Sequence, residues 1–130
     1  MIVIDASAAA SWVLPHEDGI DLNRLIDASN DFFAPFLFWA EIRNVILVSE
    51  RRGLILPEAA SRAMSAIERL DVTFDTSPSS NDVYNLSKKY GLSIYDSLYI
   101  ELAHRKHAHL CTLDRKMRAA AEHEGINLIN

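Results

Sequence analysis

The sequence predicts an α/β domain with a mostly parallel sheet covered by helices on both faces. Three observations lead there. Short apolar runs alternate with longer helical segments along the whole chain. Asp5, Pro35 and Gly125 bound those runs, as turn and cap residues do. Forty-nine per cent of the 130 residues are hydrophobic, enough to build a core at the size of one average domain. Residues 1–130 are therefore read as a single domain.

The elements follow in order. Met1 to Ile4 is a buried-strand run stopped by Asp5. Ser7 to Leu14 is alanine-rich and helical, ending at Pro15. Ile20, Leu22, Leu25 and Ile26 mark a short amphipathic helix. Phe32 to Ala34 reads as a second strand, and Phe36 to Arg52 as a long helix stopped by Gly53. Pro57 suits a first helical position, with the helix continuing to Leu70. Val72 to Phe74 is a third strand. Ser77-Pro78 opens a helix ending near Tyr90-Gly91, and Ser93 opens another running to about His107. His109 to Thr112 is a strand, Asp114 to Glu124 a helix, and Ile126 to Ile129 a last strand.

Composition sets limits. The lone cysteine, Cys111, excludes an intramolecular disulfide and fits a reducing, cytoplasmic setting. The apolar start lacks a basic region and is interrupted by Asp5, so no signal peptide is expected. No run approaches the 18 or so residues of a membrane span, so no membrane partner is expected either. The net charge of −5 argues at first against a nucleic-acid partner.

In parallel sheets functional groups gather at the carboxyl ends of the strands. Asp5 follows the first strand there, and Thr112 and Asp114 follow the fourth. Each Asp also has an ordinary reading. Asp5 and Asp114 can cap the helices after them, and Ser93-x-x-Asp96 has the form of a capping box. Glu41 lies inside a helix, where no cap explains it. Three of its four same-face neighbours, Leu37, Phe38, Asn44 and Val45, are apolar. A carboxylate on a buried face is costly unless it is paired or binds a cation. Arg43 points elsewhere, whereas Asn44 is placed to orient it. The bland alternative puts Glu41 at a polar helix edge. Four carboxylates meeting in one pocket would repel and hold their protons. A hard divalent cation removes that cost, and oxygen ligands favour Mg²⁺ or Mn²⁺ over zinc. The residues alone thus point to an acidic metal site in an α/β domain.

Four segments then resemble a known family. They are Ile2-Val3-Ile4-Asp5-Ala6-Ser7, Trp39-Ala40-Glu41-Ile42-Arg43-Asn44, Ile94-Tyr95-Asp96-Ser97-Leu98-Tyr99 and Leu110-Cys111-Thr112-Leu113-Asp114. In this order and spacing they resemble the PIN-domain ribonucleases of the VapC toxin type, found in toxin–antitoxin pairs. The resemblance implies a three-layer α/β/α fold and a metal-dependent endoribonuclease acting on RNA, often a tRNA or rRNA loop. It implies Mg²⁺, with Mn²⁺ as a substitute, held by Asp5, Glu41, Asp96 and Asp114. Asp5 and Asp96 would be the most direct ligands, and Ser7, Asn44 and Thr112 the supporting polar groups. It further implies a homodimer and a cognate VapB-type antitoxin, a small DNA-binding protein whose tail blocks the site. Arg105, Lys106, Arg115 and Lys116 become candidate RNA contacts. For the cluster His104 to His107, the competing readings are helix-dipole interaction and a solvated face. Zinc binding by His104, His107 and His109 is a weaker reading, because no cysteine pair helps. Trp12, Phe36, Phe38 and Trp39 read as core or dimer contacts. A nuclease of RNA maturation or of DNA, and a non-catalytic interaction domain, stand as alternatives.

The charge is uneven. Residues 88–118 hold seven basic and three acidic residues, whereas residues 1–35 hold one basic and six acidic. A basic segment therefore carries Asp96 and Asp114, and net acidity no longer excludes RNA.

Overall fold

A computed structural model describes residues 1–15, 19–28 and 30–129. Four short strands form an all-parallel sheet in the order β3-β2-β1-β4. They are β1 (Ile2–Ile4), β2 (Phe32–Pro35), β3 (Thr73–Asp75) and β4 (His109–Cys111). Every residue of β1 is buried, as expected of a central parallel strand. The helices are α1 (Ala6–Val13), α2 (Leu22–Asp27), α3 (Leu37–Arg51), α4 (Pro57–Arg69), α5 (Ser80–Tyr90), α6 (Ile94–Lys106) and α7 (Arg115–His123). Crossovers between parallel neighbours are right-handed as a rule. The chain runs outward from β1 through β2 to β3, then returns to place β4 on the other side of β1. That reversal puts α1 to α4 on one face and α5 to α7 on the other. The packing agrees, with α1, α3 and α4 touching one another and α6 touching α5 and α7.

Local chemistry sets the boundaries. Asp5, Asp21, Ser79, Ser93 and Asp114 cap α1, α2, α5, α6 and α7 through their side chains. Helix α5 thus opens at Ser79 rather than at Ser77-Pro78. Pro57 occupies the first turn of α4, where its missing N–H costs nothing. Gly91 ends α5 in the left-handed region, at φ +65°. Phe38, Ile42, Ile46 and Ser49 form the buried stripe of α3.

The expected strand over Ile126–Ile129 shrinks to a single bridge between Leu110 and Leu128. Alternate residues of a parallel strand bond to opposite sides. The His109 N–H and the Cys111 carbonyl are spent on β1, bonding the Met1 carbonyl and the Asp5 N–H. Only Leu110 faces outward, bonding the Asn127 carbonyl and the Ile129 N–H. A three-residue β4 has no further edge to offer.

Aromatic residues divide. Phe38 is fully buried and Trp12 packs against the core, but Phe36 and Trp39 are 57% and 46% exposed. The Arg43 guanidinium stacks on the Trp39 ring at 4.2 Å and pairs with Glu68 at 2.5 Å. Among the described residues no helix is long and apolar enough to cross a membrane.

Arg105 fastens α6 to the edge strand. Its guanidinium donates to Glu101 at 2.7 and 3.1 Å and to Asp75 at 3.1 and 2.7 Å. Glu101 is 3% exposed and also accepts from the Ser79 N–H. Arg105→Ala would strand that buried carboxylate and cost about 3 kcal/mol of stability. Urea denaturation followed by circular dichroism reads this. A loss under about 1 kcal/mol would show that water pairs Glu101 adequately.

Candidate active site

The strand order reverses between β1 and β4, and in parallel sheets such a reversal is where functional groups gather at the carboxyl edge. Asp5 leaves β1 there and Thr112 leaves β4. Asp5 is only 5% exposed. Its Oδ1 accepts from the Ala8 N–H at 3.0 Å and the Ser7 hydroxyl at 2.8 Å, and its Oδ2 accepts from the Thr112 hydroxyl. Each hydroxyl has one proton, and both protons go to Asp5. As acceptors the same hydroxyls fix the next turn. Ser7 Oγ takes the Leu113 N–H and Thr112 Oγ1 takes the Asp114 N–H, both at 3.0 Å. Asp114 then caps α7 through the Met117 N–H at 2.9 Å. Ser7 and Thr112 thus tie the Asp5 carboxylate to the turn after β4.

Glu41 arrives from α3 and Asp96 from the first turn of α6, both half-buried. The Asp96 N–H donates to Ser93 Oγ at 3.0 Å. Glu41 is oriented by a residue that the sequence reading missed. The Tyr99 hydroxyl donates to Glu41 Oε1 at 2.6 Å. Asn44, expected in that role, is exposed. One local signal pointed to Tyr99. A buried tyrosine hydroxyl needs a partner, and Tyr99 follows Asp96 by one helical turn.

Electrostatics join the four carboxylates. Burial holds Asp5 above the usual carboxylate range, opposed by its hydrogen bonds and reinforced by Asp114. Burial also raises Glu41, with Tyr99 opposing and Asp96 and Asp5 reinforcing. Asp96 is raised by burial and then by Asp114, against Ser93 and Lys116. The repulsions close a ring through Asp5, Glu41, Asp96 and Asp114. Asp5 and Asp114 cap their helices and also repel one another.

The donor set suits a hard divalent cation: four carboxylates, flanking hydroxyls, no thiolate or imidazole. The rotamers do not form a finished cage. Among the described residues, no three His, Cys, Asp or Glu side chains stand ready to hold a metal ion. That applies equally to His104, His107 and His109, which line a separate cavity of about 290 Å³ with Glu124. Burial pushes the Cys111 thiol up to about 12, as suits an inert core group.

The basic candidates separate. Arg115 and Lys116 are exposed at the start of α7, and Lys116 acts on Asp96. Arg105 and Lys106 lie about 14 Å further along α6 from Asp96. Arg105 spends four of its five N–H groups on Glu101 and Asp75, and Lys106 lies over the Phe33 ring at 5.4 Å. Neither is placed as a phosphate contact.

Comparison with known proteins agrees with this fold. The family model described as PIN domain matches residues 2–123. Ribonuclease VapC3 of Pyrobaculum aerophilum is 27% identical over 119 residues, covering 89% of this chain and 91% of the relative. The crystal structure of PAE2754 from Pyrobaculum aerophilum superposes with TM-score 0.74 at 23% identity, over 92% of this chain and 83% of that one. That of FitAcB from Neisseria gonorrhoeae gives 0.63 at 16% identity, over 100% and 97%. Both support the fold.

A pH dependence follows. With Asp5, Glu41 and Asp96 raised, the folded chain keeps protons that the unfolded chain has released. This contribution is largest below the unfolded carboxylate range, near pH 4, and is lost as pH rises through the folded values. Asp96→Asn removes one repelling charge and keeps the Ser93 cap. It should raise the urea midpoint at pH 7, through an unfolding free energy higher by at most about 1 kcal/mol given solvent screening, and the gain should vanish toward pH 4. A lower midpoint at pH 7 would contradict the repulsive ring.

Proposed function

Because the chain belongs to the PIN-domain family, we propose that it is a divalent-metal-dependent endoribonuclease toxin of the VapC type, with residues 1–130 as one such domain. The observation that carries this reading is that Asp5 and Asp114 leave the carboxyl ends of β1 and β4 while Glu41 reaches Tyr99 beside Asp96, so that each of the four carboxylates is repelled by two others. Its extent across nearly the whole of a relative named Ribonuclease VapC3 supports it.

Asp5 and Asp96 would hold Mg²⁺, or Mn²⁺ in its place, most directly. Asp5 is fixed from both oxygens, yet Oδ2 carries one donor and keeps a lone pair for a cation. Glu41 and Asp114 would hold the cation through water, bind a second ion, or orient the attacking water. The cation, once bound, lowers the pKa of that water and stabilises charge on the leaving oxygen. Thr112 and Ser7 hold the Asp5 carboxylate still, so it need not reorganise during reaction. Lys116 and Arg115 stand beside the ring to draw the RNA phosphate chain toward it. Arg105 and Lys106 have no part in this.

The substrate is RNA, a tRNA or rRNA loop, since loops present the shape and unpaired bases that such cleavage requires. The partners are a second copy in a homodimer and a VapB-type antitoxin that blocks the acidic site, all in the cytoplasm. The structure contains a single contiguous core, which supports the one-domain reading.

The test is to map RNA ends after brief induction, comparing wild type with Asp5→Asn and Asp96→Asn. The wild type should cut at a few loop positions. Each variant should lose at least about a hundredfold in rate, the scale of removing one preorganised electrostatic group. Excess EDTA should abolish cleavage. Identical end maps for wild type and both variants would overturn the reading.

A further inference from the structure

The hydrogen bond from Tyr99 to Glu41 crosses the sheet's edge. Glu41 belongs to α3, in the layer of α1 and α4, whereas Tyr99 belongs to α6, in the layer of α5 and α7. The bond therefore ties a helix of one layer to a helix of the other, over the carboxyl ends of the strands. Tyr99 is 2% exposed, so its ring is fixed by packing and its hydroxyl can reach few places. It reaches Glu41 Oε1 at 2.6 Å.

Spacing adds a second argument. Tyr99 follows Asp96 by three residues, so both lie on one face of α6. That face supplies one carboxylate of the ring and also the donor that holds the carboxylate opposite. A glutamate has three side-chain torsions, and Asp5 and Asp96 both repel this one. Left alone it would swing toward water. A phenylalanine would fill the same apolar volume without a hydroxyl to satisfy, so packing does not account for a tyrosine here.

We propose that Tyr99 is the positioning residue of the acidic site. Its hydroxyl holds Glu41 in the ring against Asp5 and Asp96, and so sets the gap that a divalent cation and an RNA phosphate enter. The role rests on reading the ring as a metal-dependent nuclease centre, and it is carried out through Glu41, without contact to the RNA.

Tyr99→Phe keeps the ring and removes only the donor. Calorimetric titration of the purified protein with Mn²⁺ should show about tenfold weaker binding, the scale of one hydrogen bond to a charged group. On bulk tRNA the apparent kcat should fall about tenfold while KM stays within about twofold, because RNA capture is left intact. In a Glu41→Gln background the same change should have little further effect, since the two residues act as one unit. The cooperative urea transition should survive. Unchanged Mn²⁺ binding, a full additional loss in the Glu41→Gln background, or loss of cooperative unfolding in Tyr99→Phe would each overturn the proposal. If the wild type bound Mn²⁺ but cut no RNA, the nuclease reading would fail, and the titration would still decide the role of Tyr99.

Discussion

The carboxylate of Asp5 holds the working edge of this protein together. It caps α1, and it takes the hydroxyl protons of Ser7 and Thr112. Through those hydroxyls it fixes the backbone at Leu113 and Asp114, where the chain leaves β4. One buried group thus ends β1, starts α1, and joins both to the turn that starts α7. The topology makes this stitch possible, because β1 and β4 are neighbours whose crossovers leave in opposite directions.

The edge that results is short of positive charge. Four carboxylates from two strand ends and two helices repel one another in pairs, while among the described residues Lys116 is the basic side chain that lowers the raised Asp96. Such an arrangement is destabilising, and it persists because each carboxylate is held separately. Asp5 has its hydroxyls, Asp114 its helix N-terminus, Asp96 its Ser93 cap, and Glu41 its tyrosine. The apolar core beneath, with β1 fully buried, carries that cost.

Much of this was legible in the sequence. The alternation of strand and helix predicted the parallel sheet, and a helical glutamate flanked by Leu37 and Phe38 stood out as needing an explanation. The acidic residues at strand ends were visible because parallel topology fixes where strand ends meet. What escaped was long-range. Tyr99 and Glu41 are 58 residues apart, and Tyr99 looks like any core aromatic until its hydroxyl must be satisfied. Asn44 was favoured as the orienting group because it is a local neighbour of Glu41, yet the helix turns it to solvent. Arg105 stood as a candidate RNA contact, beside the helix-dipole reading, because its partners Asp75 and Glu101 come together only in the fold. The last strand failed for a reason of counting, since a three-residue β4 has a single outward residue to pair.

Asp5, Glu41, Asp96 and Asp114 are proposed to form one cation site although their side chains do not stand as a cage. The most direct measurement is an anomalous difference map from a crystal soaked in Mn²⁺. The account predicts a peak at the carboxyl edge between β1 and β4, ligated by Asp5 and Asp96, with Glu41 still bonded to Tyr99. A peak only among His104, His107, His109 and Glu124, or no peak at the carboxyl edge in a crystal saturated with Mn²⁺, would contradict it.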